Sequence, residues 1–321
     1  MLETLETVFS AVASKDIVVI LTHVLIHGKR IQGGDGTITI DAPYDCGVED
    51  CAVPGQKFLN SVKACKGTPK MSITPTGKLS IKQGSFKALL STLPAADFPV
   101  DKPRGDEQAV PDDLLKAIRR LQPFISKDAS RPWSMGILFK DGFAYATNNV
   151  VLARIPMDWK GPAIVLPRVA IDSLVELKEH PSTMHVEEGM SVSFTYNDGM
   201  WLKSQLQNSA WPDVGKMLEG VDGPEHKVPA GMLDAVQRVK KFCTNVKFPA
   251  ITLSAEGISS DDGGGDTATF DDFVCSASTF NGDMLELVLS SATHIDFSSY
   301  PKPCTFSGDD GLFGLFVGMT S

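Results

Sequence analysis

Two histidines four residues apart, His23 and His27, are the first pair in the sequence whose side chains suit metal chemistry. On a helix that spacing would set both imidazoles on one face for zinc. They lie, however, in Ile17 to Ile26, a β-branched run that reads as strand, so a metal site is not expected there. The acidic run Asp261-Asp262-Gly263-Gly264-Gly265-Asp266, with Asp271 and Asp272 beyond it, suggests calcium only loosely. It lacks the EF-hand spacing and terminal Glu, and reads as a solvated loop. Six cysteines, Cys46, Cys51, Cys65, Cys243, Cys275 and Cys304, are scattered without CxxC spacing and suggest neither a zinc cage nor a disulfide framework. No GxGxxG, Walker A, GxSxG or HExxH motif occurs, and no cysteine is matched with a histidine as a nucleophile site. The expectation is a protein that is not an enzyme and has no cofactor or bound metal. A metal-dependent hydrolase using the acidic loop is the enzymatic alternative.

The elements that would carry any site come in a repeated order. A helical signal at Leu5, Val8, Phe9 and Val12 precedes the run Ile17 to Ile26, and a glycine-rich turn at Gly33 to Gly36 leads into Thr37 to Ile40. A second helix is read in Val53 to Lys63, with strands near Met71 to Thr74, Lys78 to Ile81 and Ser85 to Ser91. After a polar, proline-containing stretch, Val100 to Pro111, read as a linker, the cycle returns. Asp112 and Asp113 open a helix, three strands follow, Val169 to Leu177 forms another helix, and Met190 to Tyr196 and Met200 to Leu206 close the unit. The third cycle has helix Met232 to Phe242, strands at Ile251 to Leu253 and Phe273 to Ser278, helix Gly282 to Leu289, and closing strands to Val317. Such repetition implies an α+β fold of three similar domains, 1–103, 104–221 and 222–321.

At 321 residues, 42% of them hydrophobic and 21% charged, the chain has the composition of a soluble globular protein with two or three cores. No apolar run approaches the roughly 20 residues of a membrane span, and the N-terminus is acidic where a signal peptide would be basic. The expected location is the cytoplasm, without membrane partners. A net charge of −9 argues against a surface that grips nucleic acid everywhere, while leaving room for a basic stripe.

Several segments resemble the beta subunit of bacterial DNA polymerase III, the DNA sliding clamp. Ser91-Thr92-Leu93-Pro94-Ala95-Ala96-Asp97-Phe98-Pro99 looks like the close of the family's first domain. Pro132-Trp133-Ser134-Met135-Gly136-Ile137-Leu138-Phe139, Ala146 to Ala153 and Ile164-Val165-Leu166-Pro167-Arg168 follow in the family's order and spacing. Lys203-Ser204-Gln205-Leu206 and then Trp211-Pro212-Asp213 resemble its turn into the third domain, and weaker similarity runs to Leu315-Phe316-Val317-Gly318-Met319. The chain is shorter than a typical bacterial clamp, and Gly318 and Thr320 stand where a proline and an arginine are usual, which suits a divergent, phage-encoded clamp.

The resemblance implies a DNA clamp fold in which each domain gives two helices to an inner layer and antiparallel sheets to an outer one, assembling as a homodimer into a ring. At about 10 Å per helix, twelve inner helices make a circle roughly 120 Å around and nearly 40 Å across, loose around duplex DNA. It implies a processivity factor that binds double-stranded DNA without sequence preference and works with a replicative DNA polymerase and a clamp loader. DNA contacts would come from Lys15, Lys57, Lys63, Lys66, Lys116, Arg119, Arg120, Arg168, Arg238, Lys240 and Lys241. Read one at a time, these are also ordinary solvated helix positions. Helix Gly282 to Leu289 has no basic residue and carries Asp283 and Glu286, so the lining would be uneven.

By the same resemblance a partner-peptide pocket would be walled by Thr147, Asn149, Val150, Val151, Leu152, Pro212, Lys216, Met217, Leu315, Val317, Gly318 and Met319, residues that alone would read as core. The subunit interface would set Phe242 and Cys243 against Lys87, Ala88, Leu89 and Leu90 of the neighbour, with Ala88 where an aromatic residue is common. A non-ring interaction scaffold is the remaining alternative.

Overall fold

Strand Ile38–Pro43 pairs antiparallel with Trp201–Gln205, setting Asp41 opposite Trp201 and Ile38 opposite Ser204. In the computed structural model, which describes residues 2–15, 17–261, 264–266 and 277–319, that pairing joins distant segments into one unit, Met1–Asp112 with Val169–Leu206. Its nine-stranded sheet runs in the order Leu93–Pro94, Cys51–Pro54, His23–His27, Arg30–Gly34, Ile38–Pro43, Trp201–Gln205, Ser191–Thr195, Thr183–Glu187, Asp106–Gln108. A three-stranded sheet, Lys70–Ile73, Lys78–Gln83 and Phe86–Ser91, stands apart from it.

Seven α-helices are present among the described residues: α1 (Leu2–Ser10), α2 (Gly55–Lys63), α3 (Leu114–Leu121), α4 (Arg168–Leu177), α5 (Val214–Leu218), α6 (Met232–Lys240) and α7 (Gly282–Ser291). In the first unit α1 and α2 pack together, burying Leu5 and Val8 of one and Phe58, Leu59 and Val62 of the other. Gly33 allows α1 to approach the sheet closely: a Cβ there would stand 3.0 Å from Cγ1 of Val8 and 3.0 Å from its carbonyl oxygen.

A buried polar network braces the pairing. Asp41, 1% exposed, accepts hydrogen bonds from His27 Nε2 (2.9 Å), Gln32 Nε2 (3.1 Å) and Arg30 Nε, and Arg30 also donates to the Gly199 carbonyl. Gln32 reads the main chain of Asp101 in both directions: its Oε1 accepts from the amide at 2.8 Å and its Nε2 donates to the carbonyl at 3.1 Å. Lys203 Nζ lies 2.6 Å from Asp101 Oδ1 and donates to the Lys102 carbonyl. The beginning of the stretch expected to be a linker is therefore fastened to the sheet, and Asp106–Gln108 within it is an edge strand.

The second unit comprises Asp113–Arg168 and Gln207–Ser321, so residues 104–221 contribute to both units. Its seven-stranded sheet runs Ile164–Pro167, Gly136–Lys140, Phe143–Thr147, Val151–Pro156, Phe313–Phe316, Cys304–Ser307, His294–Asp296. Here too one pairing joins distant chain, with Val151 opposite Phe316 and Leu152 opposite Leu315. Helix α3 lies on this sheet. A four-stranded sheet, Gly265–Asp266, Gly257–Ser260, Ala250–Ser254 and Ser278–Asn281, carries α6, which packs on α7. Asn281 caps α7, its Oδ1 accepting from the amides of Asp283 and Met284.

Three local expectations change. Of the run Ile17 to Ile26 only the last four residues are strand, in His23–His27; Val19–Thr22 is a 3-10 turn and Ile17 is fully exposed. The strand exists where Cys51–Pro54 offers a ladder to His23–Ile26. The expected strand Phe273 to Ser278 falls, up to residue 276, outside the described residues, and the observed one is Ser278–Asn281. Helix α5, five residues long, is too short to leave a periodic signal.

Lys203→Met is expected to lower stability by about 2 kcal/mol, because it leaves a partly buried Asp101 carboxylate and a main-chain carbonyl without their cation. Urea unfolding followed by tryptophan fluorescence measures it. If Lys203→Met in an Asp101→Asn background costs as much as in the wild type, the pair is not the bracing contact.

Candidate functional site

The seven-stranded sheet sets Leu152 beside Leu315 as cross-strand neighbours, so both side chains share a face. The ladder continues past them, the Val317 amide donating to the Val150 carbonyl at 3.0 Å. Ahead of Leu152 the chain turns tightly. Thr147 Oγ1 donates to the Val151 carbonyl and accepts from the Asn149 amide, while Asn148 Oδ1 accepts from the amides of Val150 and Val151. Asn149 takes φ +72°, a left-handed conformation that its short amide side chain tolerates.

Helix α5 crosses the same face. Its Val214 and Leu218 are buried against Leu138, Tyr145 and Val165, and Asp213 caps it by accepting from the Lys216 amide. Between α5, the turn and the sheet lies a cavity of about 320 Å³. It is lined by Thr147, Asn149, Val150, Val151, Leu152, Pro212, Met217, Leu315 and Val317, all of them sequence candidates. Met217 remains 54% exposed and Val317 40%, so apolar surface faces solvent at the rim.

Lys216, Gly318 and Met319 do not line it. Lys216 is exposed on α5. Gly318 lies against Tyr300, where a Cβ would come within 2.3 Å of the ring, and Met319 is held away by its amide bond to the Thr279 carbonyl and by Tyr300 Oη donating to its carbonyl. Arg131, Trp133, Val214 and Pro303 also line the cavity and were missed. Trp133 belongs to the clamp-like segment Pro132 to Phe139 and meets Trp211 edge-on at 5.4 Å, but nothing in sequence spacing points to that contact.

The basic candidates divide by what they touch. Lys15 and Lys57 are exposed and line one hollow of about 540 Å³ with Phe9 and Val12 at its apolar side. Lys63 pairs with Glu6 at 2.7 Å, and Lys66 is exposed. On α3, Arg119 is exposed, Lys116 pairs with Asp310 at 2.6 Å, and half-buried Arg120 donates to the Ser291 carbonyl at the end of α7, where a cation meets the negative end of the helix dipole. Arg168 is half-buried at the start of α4. Arg238 and Lys241 are exposed, while Lys240 lies 2.9 Å from Asp283 and also binds Glu286. The acidity of α7 thus has a structural cause: its two carboxylates hold α6.

Of the interface candidates, Lys87 and Leu89 are exposed, Ala88 is half-buried and Leu90 is buried, all on Phe86–Ser91, a strand that is paired on one side only among the described residues. Phe242 is 61% exposed. Cys243 is buried, its Sγ toward the Ala250 carbonyl, and burial pushes its thiol pKa up. Val246 and Phe248, not anticipated, extend the exposed apolar surface beside Phe242. His23 is buried with Nδ1 against the Val19 carbonyl, and His27 belongs to the Asp41 network. Asp261 accepts from the Thr244 amide; Asp262, Asp271, Asp272, Cys275 and Thr320 lie outside the described residues.

No family model matches the chain. It is 25% identical over 205 residues to a beta sliding clamp of Vibrio cholerae serotype O1, a match covering 59% of this chain and 53% of that protein. A beta sliding clamp of Salmonella typhimurium is 23% identical over 234 residues, 67% and 62% of the two chains. The matches therefore span a little over half of these relatives' length. Caulobacter crescentus polymerase III beta superimposes with a TM-score of 0.85 at 21% identity, covering 100% of this chain and 97% of that one. The chain has the sliding clamp fold, with mixed helices and antiparallel sheets, and its sequence resembles a divergent beta clamp.

The α6–α7 contact is pH-sensitive in a defined direction. The Lys240 hydrogen bond holds the Glu286 carboxyl below its ordinary value despite desolvation. Desolvation pushes Lys240 down, but Glu286 and Asp283 outweigh it and leave its ammonium above the ordinary value. A lowered carboxylate stabilises the fold above its unfolded value of about 4.3 and loses that contribution as pH falls through the folded one. A raised ammonium does so below its unfolded value of about 10.4 and loses it at still higher pH. The stability gap between the wild type and Lys240→Gln is expected to be constant from about pH 6 to 9 and to shrink below about pH 4. Urea titrations across that range check it; a gap unchanged at low pH removes the pair from the account.

Proposed function

We propose that this chain is a DNA sliding clamp, an accessory factor without catalysis that encircles duplex DNA and tethers a replicative DNA polymerase through a short peptide. The observation that carries the reading is the apolar cavity beside Leu152 and Leu315, which gathers nine of the twelve residues that the clamp resemblance named. A concave apolar slot edged by backbone polar groups suits an extended segment from a polymerase or clamp loader.

In this reading the three domains are 1–103, 104–221 and 222–321, and two copies close the ring. Exposed Phe242, with Val246 and Phe248, meets the one-sided strand around Leu89 of the other copy. Pairing there would cover apolar surface and complete an edge that is otherwise prone to aggregation. Lys15, Lys57, Lys66, Arg119, Arg238 and Lys241 face phosphates loosely, without base readout, so the ring slides. Lys116, Arg120 and Lys240 act first in holding the fold. The setting is a bacterial cytoplasm, or the host's cytoplasm for a phage-encoded clamp.

Light scattering is expected to give a mass near twice 34.5 kDa for the wild type and half that for Phe242→Asp. A wild type that stays monomeric at every concentration and does not remain on closed circular DNA would leave a non-ring scaffold. Val317→Asp is expected to weaken binding of an apolar partner peptide by about tenfold, since it sets a charge against a slot that the peptide desolvates. Unchanged affinity in fluorescence polarisation would remove the cavity from the proposal.

A further inference from the structure

We infer that the exposed face of the three-stranded sheet is a duplex-DNA contact surface in its own right, holding phosphates through a row of three lysines, Lys70, Lys82 and Lys87. The inference goes beyond the proposed ring, because this contact needs no ring closure. In the sheet's register Lys82 stands directly opposite Lys70 on one side and Lys87 on the other, and all three are exposed. Alternation along the strands puts Leu79, Ile81 and Leu90 on the buried face and leaves Lys78, Ser72 and Ser91 on the lysine face. From Lys63 to Ser91 the chain has six lysines and no aspartate or glutamate, against a net charge of −9 for the whole.

This charge holds no part of the fold. Lys70, Lys78, Lys82 and Lys87 form no ion pair among the described residues, whereas Lys63 binds Glu6. Like charges directly opposite on neighbouring strands repel, so the row lowers the stability of the sheet it stands on. Lysines do protect sheet edges from pairing with other chains, and Lys70 and Lys87 are on edge strands. Lys82 is on the middle strand, where there is no edge to protect. Ser80 lies one row along on the same face, and its Oγ is buried without a hydrogen-bond partner among the described residues.

The chemistry of the face selects the partner. Lysine and serine are depleted at protein interfaces, and the one apolar side chain on this face is Leu89, with no aromatic anchor beside it. An anionic membrane surface likewise asks for apolar side chains that insert beside the cations. Lysine ammonium and serine hydroxyl groups both bind phosphate oxygens. Single strands are held by stacking their bases on aromatic rings, which this face lacks, so the duplex is the form that fits. Strands about 4.8 Å apart set the roots of the three lysines along a line of about 10 Å, a positive bar that reads no bases. The proposed pairing of Phe86–Ser91 with a second copy joins main chains and leaves these lysines on the sheet face.

The test uses the full chain and a fluorescent duplex whose two ends are blocked by streptavidin, so that a closed ring cannot thread it. Fluorescence anisotropy should show binding that is equal for two unrelated sequences and falls linearly in log K with log salt. Lys82→Gln should weaken it about fivefold at low salt and reduce the salt slope by about 1, and Lys70→Gln, Lys82→Gln and Lys87→Gln together should reduce the slope by about 3. Lys160→Gln, at an exposed lysine of the other unit, should change neither. In urea unfolding Lys82→Gln should be at least as stable as the wild type, because it relieves repulsion, so its loss of binding is not a loss of fold. No binding of the blocked duplex, or an unchanged slope in the triple variant, would overturn the inference, while retention of the wild type on closed circular DNA would keep the ring reading standing. Tighter binding of a single strand of the same length would overturn the duplex assignment. A lower mass of the triple variant in light scattering, with unchanged DNA affinity, would give the face to a second copy instead.

Discussion

Main-chain hydrogen bonding between strands from distant parts of the sequence is the constraint on which the rest of this molecule depends. Ile38–Pro43 meets Trp201–Gln205 in one unit, and Val151–Pro156 meets Phe313–Phe316 in the other. Each pairing fixes a register, and register in a sheet decides which side chains share a face. A slip of one residue at the second pairing would turn Leu152 and Leu315 to the opposite face and remove the floor of the cavity. The sheets also run on through the chain segments expected to be boundaries, which is why residues 104–221 take part in both units.

Long-range pairing of this kind needs help, because closing a long loop is entropically unfavourable before any ladder bond forms. In the first unit the help is polar. Buried Asp41, Gln32 and Lys203 and half-buried Asp101 form a chain of hydrogen-bonded groups that ties the first strands to Trp201–Gln205 and fastens the stretch at Asp101. Such a network is costly to satisfy partly, so it favours one arrangement over near alternatives. In the second unit the corresponding help is apolar, from Val214 and Leu218 of α5 against Leu138, Tyr145 and Val165.

Charge placement follows the same logic. A chain with a net charge of −9 carries basic residues on several helices, but some of them hold the protein together. Lys240 binds the two carboxylates of α7, Lys116 binds Asp310, and Arg120 caps the carbonyl end of α7. Those left exposed without such roles, Lys15 and Lys57 among them, are the ones available to a mobile polyanion. The cavity is the reverse case, an apolar slot with a single cation at its edge.

The sequence by itself determined six of the seven described helices and most strands, because periodic burial is written locally: Leu114, Leu115, Ile118 and Leu121 of α3 are one stripe at helical spacing and all are buried. It also carried the clamp resemblance, and through it nine of the cavity's residues. Tertiary structure decided the rest. Sequence could not tell that Gly318 and Met319 turn toward Tyr300 and Thr279, that Arg131 and Trp133 reach the cavity, or that Lys240 answers the acidity of α7. Each of these depends on residues brought together by strand pairing or helix packing across long stretches of chain, and no local period or propensity records such a meeting.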